Sequence, residues 1–169
     1  MRRISIATVA VLALAAASLA AAGSGTVVAS ASGGSHLTLH NVFGLTSLEV
    51  KTFTFGAQRN SDGTSDGQWH YKDVEDGVTW DVDGPVTCTT IIGNHAWVGG
   101  TIEHSSDPSY TGLDMWFQVI DNGEGHNAPP DITTLIGVGV AGQAQAYCDA
   151  AAPARFPWPV ENGNIQVRD

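Results

Sequence analysis

Between residues 32 and 169 no window carries a sustained 3.6-residue apolar period. Short runs rich in β-branched and aromatic residues recur instead, each bounded by Gly, Asn, Asp or Pro. That punctuation restricts the chain to strands joined by turns. The runs are residues 37–42, 48–57, 68–74, 78–82, 86–92, 95–103, 113–121, 132–140 and 164–167, the first of them weak. Residues 58–67 contain Asn60, Asp62-Gly63 and Asp66-Gly67 and read as a loop, and Asp83-Gly84-Pro85 reads as a break.

Side-chain alternation assigns faces within the runs. In 48–57, Phe53, Phe55 and Ala57 take one face, with Lys51 and Glu49 assigned to the other register. In 113–121, Leu113, Met115, Phe117 and Val119 alternate with Asp114, Trp116, Gln118 and Ile120. If Phe117 faces the core, Trp116 points outward or into a second apolar layer. Gly93-Asn94 between two β runs is the clearest hairpin signal, and Gly99-Gly100 in its second arm marks a bulge or sharp bend. The Ala-rich residues 142–154 form a short helix or a loop carrying Cys148, and Pro153, Pro157 and Pro159 argue against regular structure around them.

The connections are mostly too short for parallel crossovers, so the strands pair antiparallel. The expected architecture is all-β: a single antiparallel β-barrel of about eight strands, with a β-sandwich as the alternative.

Met1-Arg2-Arg3, an uncharged run over residues 4–22 and small residues after it have the three-part pattern of an export signal. Cleavage sites of A-x-A type stand at Ala20-Ala21-Ala22 and Ala29-Ser30-Ala31. The expected division is a signal peptide over 1–31 and a secreted β domain over 32–169, extracellular and without a stable membrane span after cleavage. That domain keeps five basic residues (Lys51, Arg59, Lys72, Arg155, Arg168) against 17 acidic ones, a formal charge of −12. Such a balance excludes nucleic-acid binding through a general positive field. Two cysteines, Cys88 and Cys148, in an oxidising compartment point to one disulfide.

The chemistry-bearing residues are scattered. His36, His40, His70, His95, His104 and His126 form no compact metal motif, and no nucleophile elbow or phosphate loop is present. Residues 62–67 and 73–76 place carboxylates in turns as calcium sites do, without the EF-hand order, so calcium is the one cofactor kept open. Asp121, Asn122, Gly123, Glu124, Gly125 and His126 make the densest polar cluster, which is also what a tight turn requires. No catalytic residue is assigned. Trp69, Tyr71, Trp116, Asp121 and Glu124 are the candidate ligand-binding residues, because aromatic faces on a β scaffold stack on sugars or flat apolar ligands.

Several segments together resemble a family of small secreted bacterial β proteins that carry a "post-COAP" domain label. They are Phe53-Thr54-Phe55-Gly56-Ala57, Gly84-Pro85-Val86-Thr87-Cys88 and Gly93-Asn94-His95-Ala96-Trp97-Val98-Gly99-Gly100. Val119-Ile120-Asp121-Asn122-Gly123-Glu124-Gly125, Pro130-Asp131-Ile132 and Gly163-Asn164-Ile165 continue the set. The resemblance spans residues 48–167 and departs at Thr89, where an apolar residue is usual. It implies an exported all-β domain with a paired cysteine, and it transfers no catalytic residue.

Three functions fit this reading. The first is a non-enzymatic binding or cell-surface module for a small molecule or a cell-envelope component. The second is a small-molecule carrier or enzyme using a barrel interior, lipocalin-like or cyclase-like, and the third is a calcium-stabilised surface module. An open interior favours the second and a filled one counts against it.

Overall fold

The computed structural model describes residues 25–40, 48–125 and 127–169. Most of the expected export signal lies outside these residues, as do His126 and the end of the first expected strand. Eleven strands follow in chain order: β1 Val27–His40, β2 Leu48–Asn60, β3 Ser65–Glu75, β4 Val78–Ile92, β5 His95–Thr101, β6 His104–Ser105, β7 Asp114–Ile120, β8 Ile132–Thr134, β9 Gly137–Gly139, β10 Pro157–Pro159 and β11 Asn162–Arg168. One helix, α1 Gln143–Ala150, stands between β9 and β10. It carries Cys148, and among the described residues no helix is long and apolar enough to cross a membrane.

All strand pairs are antiparallel. They make one sheet in the order β10-β8-β7-β5-β4-β3-β2-β1-β11, with β6 added beside β4 and β9 beside β7. The sheet curls into a half-barrel of nine strands. Its curvature is legible in three rings: Phe117 of β7 meets Phe53 and Phe55 of β2 edge-on, with centroids 5.3 and 5.1 Å apart. Those strands are four places apart in the sheet, which would be roughly 19 Å if it were flat. Met115, Phe117 and Val119 point into this core as the alternation requires, joined by Val82, Ala96, Val98 and Ile165.

Four sequence expectations need correction. β1 starts at Val27, ten positions early, and so includes Ala29-Ser30-Ala31; Ala31 pairs with Ala57 on one side and Val167 on the other and is 1% exposed. The expected loop over 58–67 shrinks to four residues, because β2 continues to Asn60 and β3 resumes at Ser65. The Asp83-Gly84-Pro85 break is absent: β4 passes through it while changing partner from β3 to β5. Gly84 permits that passage, since a Cβ there would lie 2.0 Å from the Thr101 carbonyl oxygen. Finally, Pro157 and Pro159 do sit in regular structure, the short end strand β10.

The bulge anticipated at Gly99-Gly100 is present, with the extra residue on the partner: the β4–β5 register shifts between Val86 and Cys88, opposite those glycines. The shift reverses the faces of β4. Val86 points into the core, whereas Cys88 joins a separate buried cluster with Ala144 and Cys148 of α1.

Candidate ligand-binding cleft beneath the helix

The helix is brought to the outer wall of β4, β5 and β7 by small residues and tethers. Gly99 leaves the gap, because a Cβ there would lie 2.6 Å from Cys88 Sγ and 2.9 Å from Ala144 Cβ. The Cys88–Cys148 disulfide, expected from the sequence, fixes the helix across a separation of 60 residues. Trp97 donates its indole N–H to the Ala152 carbonyl at 2.7 Å, just past the helix. At the other end the Ncap is Gly142, which has no side chain to cap with. Asp114 of β7 supplies the missing acceptor, taking the Ala144 N–H at 3.0 Å.

Docked in this way, α1 sets Tyr147 against Trp116, with ring centroids 6.0 Å apart. Trp116 lies on a bed of glycine. It pairs with Gly137 of β9, where a Cβ would lie 2.3 Å from the indole, and Gly139 would approach the same ring at 3.1 Å. Glycine here lets a strand run directly beneath a large aromatic plane. The outcome is a cleft of about 390 Å³ lined by Trp116, Thr134, Leu135, Ile136, Gly137, Tyr147, Arg155 and Phe156. Burial raises the Tyr147 phenol above its ordinary value, partly offset by its hydrogen bond with Thr134, so it stays neutral at physiological pH. Phe156 is 55% exposed and has φ of 54°, a left-handed conformation that is costly for a bulky residue.

Of the five candidate residues, Trp116 lines this cleft and the other four lie elsewhere. Trp69 is core: it is 3% exposed and donates its indole N–H to the Pro85 carbonyl at 3.2 Å. Tyr71 is core as well, edge-on to Trp80 at 5.8 Å.

Asp121 and Glu124 face β11 instead of a cleft. Asp121 accepts the Gly123 N–H at 2.8 Å and the Val167 N–H at 2.9 Å. Glu124 accepts from the Asn164 side-chain amide at 2.9 Å. Asp131, not singled out by sequence, completes this set, accepting from the N–H groups of Asn122 at 2.9 Å and Ile165 at 2.8 Å. The cluster therefore holds backbone: three side chains bridge the β7–β8 connection to the β11 strand.

Lys51 and Glu49, expected on the other register from Phe53, share its face instead. Residues 49, 51, 53, 55 and 57 share one side of a strand by the period of two. Lys51 accordingly lies on the same inward side as Phe53 and is 7% exposed. It forms ion pairs with Glu49 at 2.7 Å and with Asp73. Nearby Tyr71 is driven far above its ordinary phenol value, by burial first and then by the charges of Asp73 and Glu49. This compact cluster pairs the charge that burial makes costly.

On the outer wall, His70 contacts Asp81 at 2.7 Å and His104 contacts Asp83 at 3.0 Å. Neither imidazole is hydrogen-bonded to a hydroxyl or thiol that could act as a nucleophile among the described residues.

Of the turn acids in the calcium expectation, Asp62 and Asp66 are occupied locally and Asp73 is paired with Lys51. Asp62 accepts from the Thr64 N–H and hydroxyl at 3.0 and 2.6 Å, which lowers its pKa, and Asp66 accepts from Asn60 at 2.7 Å. Among the described residues no three His, Cys, Asp or Glu side chains are gathered as a metal ion would need. Compared with known protein families, curated proteins and solved structures, the chain matches none.

Proposed function

We propose that this protein is an exported, non-catalytic binding module that holds a cell-envelope sugar in the cleft beneath α1. The observation carrying this reading is the Trp116–Tyr147 aromatic pair, held at 6.0 Å on a glycine bed beside a cleft of about 390 Å³. That volume suits a small ligand, and a partly exposed aromatic plane supported from below is a stacking platform for a sugar ring.

Three further observations support the reading. The Phe53, Phe55 and Phe117 rings fill the inner face, which speaks against an interior carrier or cyclase. The half-barrel is a braced scaffold, with the Asp121 and Asp131 carboxylates tying the β7–β8 connection to the backbone of β11. The export-signal pattern of residues 1–31, the disulfide and the resemblance to small secreted β proteins support a role outside the cell.

Affinity electrophoresis through gels containing defined polysaccharides tests it. Retarded migration in at least one polymer, lost in Trp116→Ala while the far-ultraviolet spectrum is retained, is the expected result. Unchanged migration in every polymer, or retardation that survives Trp116→Ala, overturns it.

A further inference from the structure

Arg155 stands in the wall of this cleft, exposed, and forms no ion pair among the described residues. Its position is unusual for the chain as a whole. Past residue 31 there are five basic residues against 17 acidic ones, so anions are repelled over most of the surface. A cationic residue in the wall of a cleft whose other lining residues are uncharged is a local reversal of that field. It offers a planar fork of donors, fitted to a two-oxygen acceptor.

We infer that the cleft selects a sugar ring bearing a carboxylate, with the ring against Trp116 and the carboxylate on Arg155. The inference rests on the cleft being the ligand seat and adds the charge class of the ligand. A carboxylate is favoured over a phosphate monoester because it carries one negative charge where the phosphate carries about two. In an acidic protein with one cation in the cleft, the second charge is uncompensated. Thr134 and Tyr147, also in the lining, add hydroxyls to the cleft wall.

The test compares polygalacturonate, its fully methyl-esterified form, dextran and dextran sulfate as ligands for the exported protein, by affinity electrophoresis and calorimetry. The expected result is binding to polygalacturonate that weakens with added salt. Esterification of the polymer, or Arg155→Gln in the protein, should each weaken it about tenfold or more, the usual scale for a lost charge-assisted pair.

Equal binding of the esterified polymer or dextran overturns the inference and leaves the proposed function standing. Equal or tighter binding of dextran sulfate also overturns it, by showing a general anion site. Binding to none of the four removes the inference; retardation by a different polysaccharide in the wider panel would then keep the binding module itself. Because Arg155 is exposed, a thermal unfolding curve that overlays the parent's confirms that Arg155→Gln reports on the ligand and not on folding.

Discussion

Asp131 and Ile165 are 34 positions apart, yet the carboxylate of one accepts the backbone N–H of the other at 2.8 Å. The same carboxylate accepts the Asn122 N–H at 2.9 Å, and Asp131 is 8% exposed. Asp131→Ala therefore leaves two N–H groups without their acceptor. A buried unsatisfied donor such as the Ile165 N–H costs about 1–3 kcal/mol and the half-buried Asn122 N–H adds less, so the expected loss is about 2–4 kcal/mol. Urea unfolding of parent and variant measures it. A change below about 0.5 kcal/mol, the range of ordinary surface substitutions, would show that the bridge contributes nothing.

Gly137→Ala tests the bed under Trp116. The added methyl would sit 2.3 Å from the indole, so the ring must move. Overpacking of this kind costs about 1–3 kcal/mol. The displaced ring also loses its position against Tyr147, so the variant should lose sugar binding along with stability. Trp116 fluorescence, read in a background lacking the other four tryptophans, should shift; an unchanged emission maximum would contradict the packing.

Replacing both cysteines by Ala frees α1 at its far end. Closure of a loop with a separation of 60 residues contributes about 4 kcal/mol in the chain-entropy account. Tyr147 immediately precedes Cys148, so the cleft should loosen with the helix. Denaturation and near-ultraviolet dichroism of Cys88→Ala/Cys148→Ala check both effects. Stability within about 1 kcal/mol of the parent would be inconsistent with a structural tether of this span.

His104 supplies a pH signature. Its hydrogen bond with Asp83, and then the Asp83 charge, raise its pKa above the ordinary 6.5. A raised folded-state value means that the pair favours the fold fully below pH 6.5. The contribution fades as pH climbs through the higher folded value. The imidazole resonances of His104, followed by nuclear magnetic resonance, should titrate above those of an unfolded control, and Asp83→Asn should bring the midpoint down. A midpoint unmoved by Asp83→Asn would refute the assignment.

The position of β1 bears on processing. Cleavage after Ala31 would remove Val27 to Ala31, and with them the pairings of Ala31 to Ala57 and Val167 and of Ser30 to Gln58 and Arg168. Cleavage after Ala22 keeps the strand whole. If the leader pattern is processed, the mature chain is expected to begin at Gly23; intact mass and N-terminal sequencing check it, and a start at Ser32 would contradict it.

Local signals were readable where strands alternate or turn tightly. The Met115–Phe117–Val119 face, the Gly93-Asn94 hairpin and the outward Trp116 all follow from a period of two and from turn chemistry. The early part of β1 gave no such signal, because Ala29 to Ser35 are small or polar residues whose value lies in close approach. A Cβ on Gly33 would lie 2.4 Å from the Asn164 carbonyl oxygen, a contact with a strand more than a hundred residues away. The cleft was half legible for the same reason. Trp116 announces itself by parity, whereas Tyr147, Arg155 and Phe156 reach it through the docking of α1, which depends on Gly99 and the disulfide. Asp131 follows two prolines and looks like one more turn acid until β11 is laid beside it.

The two ends of the sheet are finished differently, and together they limit how the molecule meets its neighbours. At β10, Pro157 and Pro159 leave two of three residues with no amide to offer. At β11, the Ile165 and Val167 amides are already engaged by aspartate. A stranger's β-segment arriving at either margin meets fewer amides to pair with. Edge-to-edge stacking between copies is thus opposed at both margins, by two proline rings at one and by two occupied amides at the other.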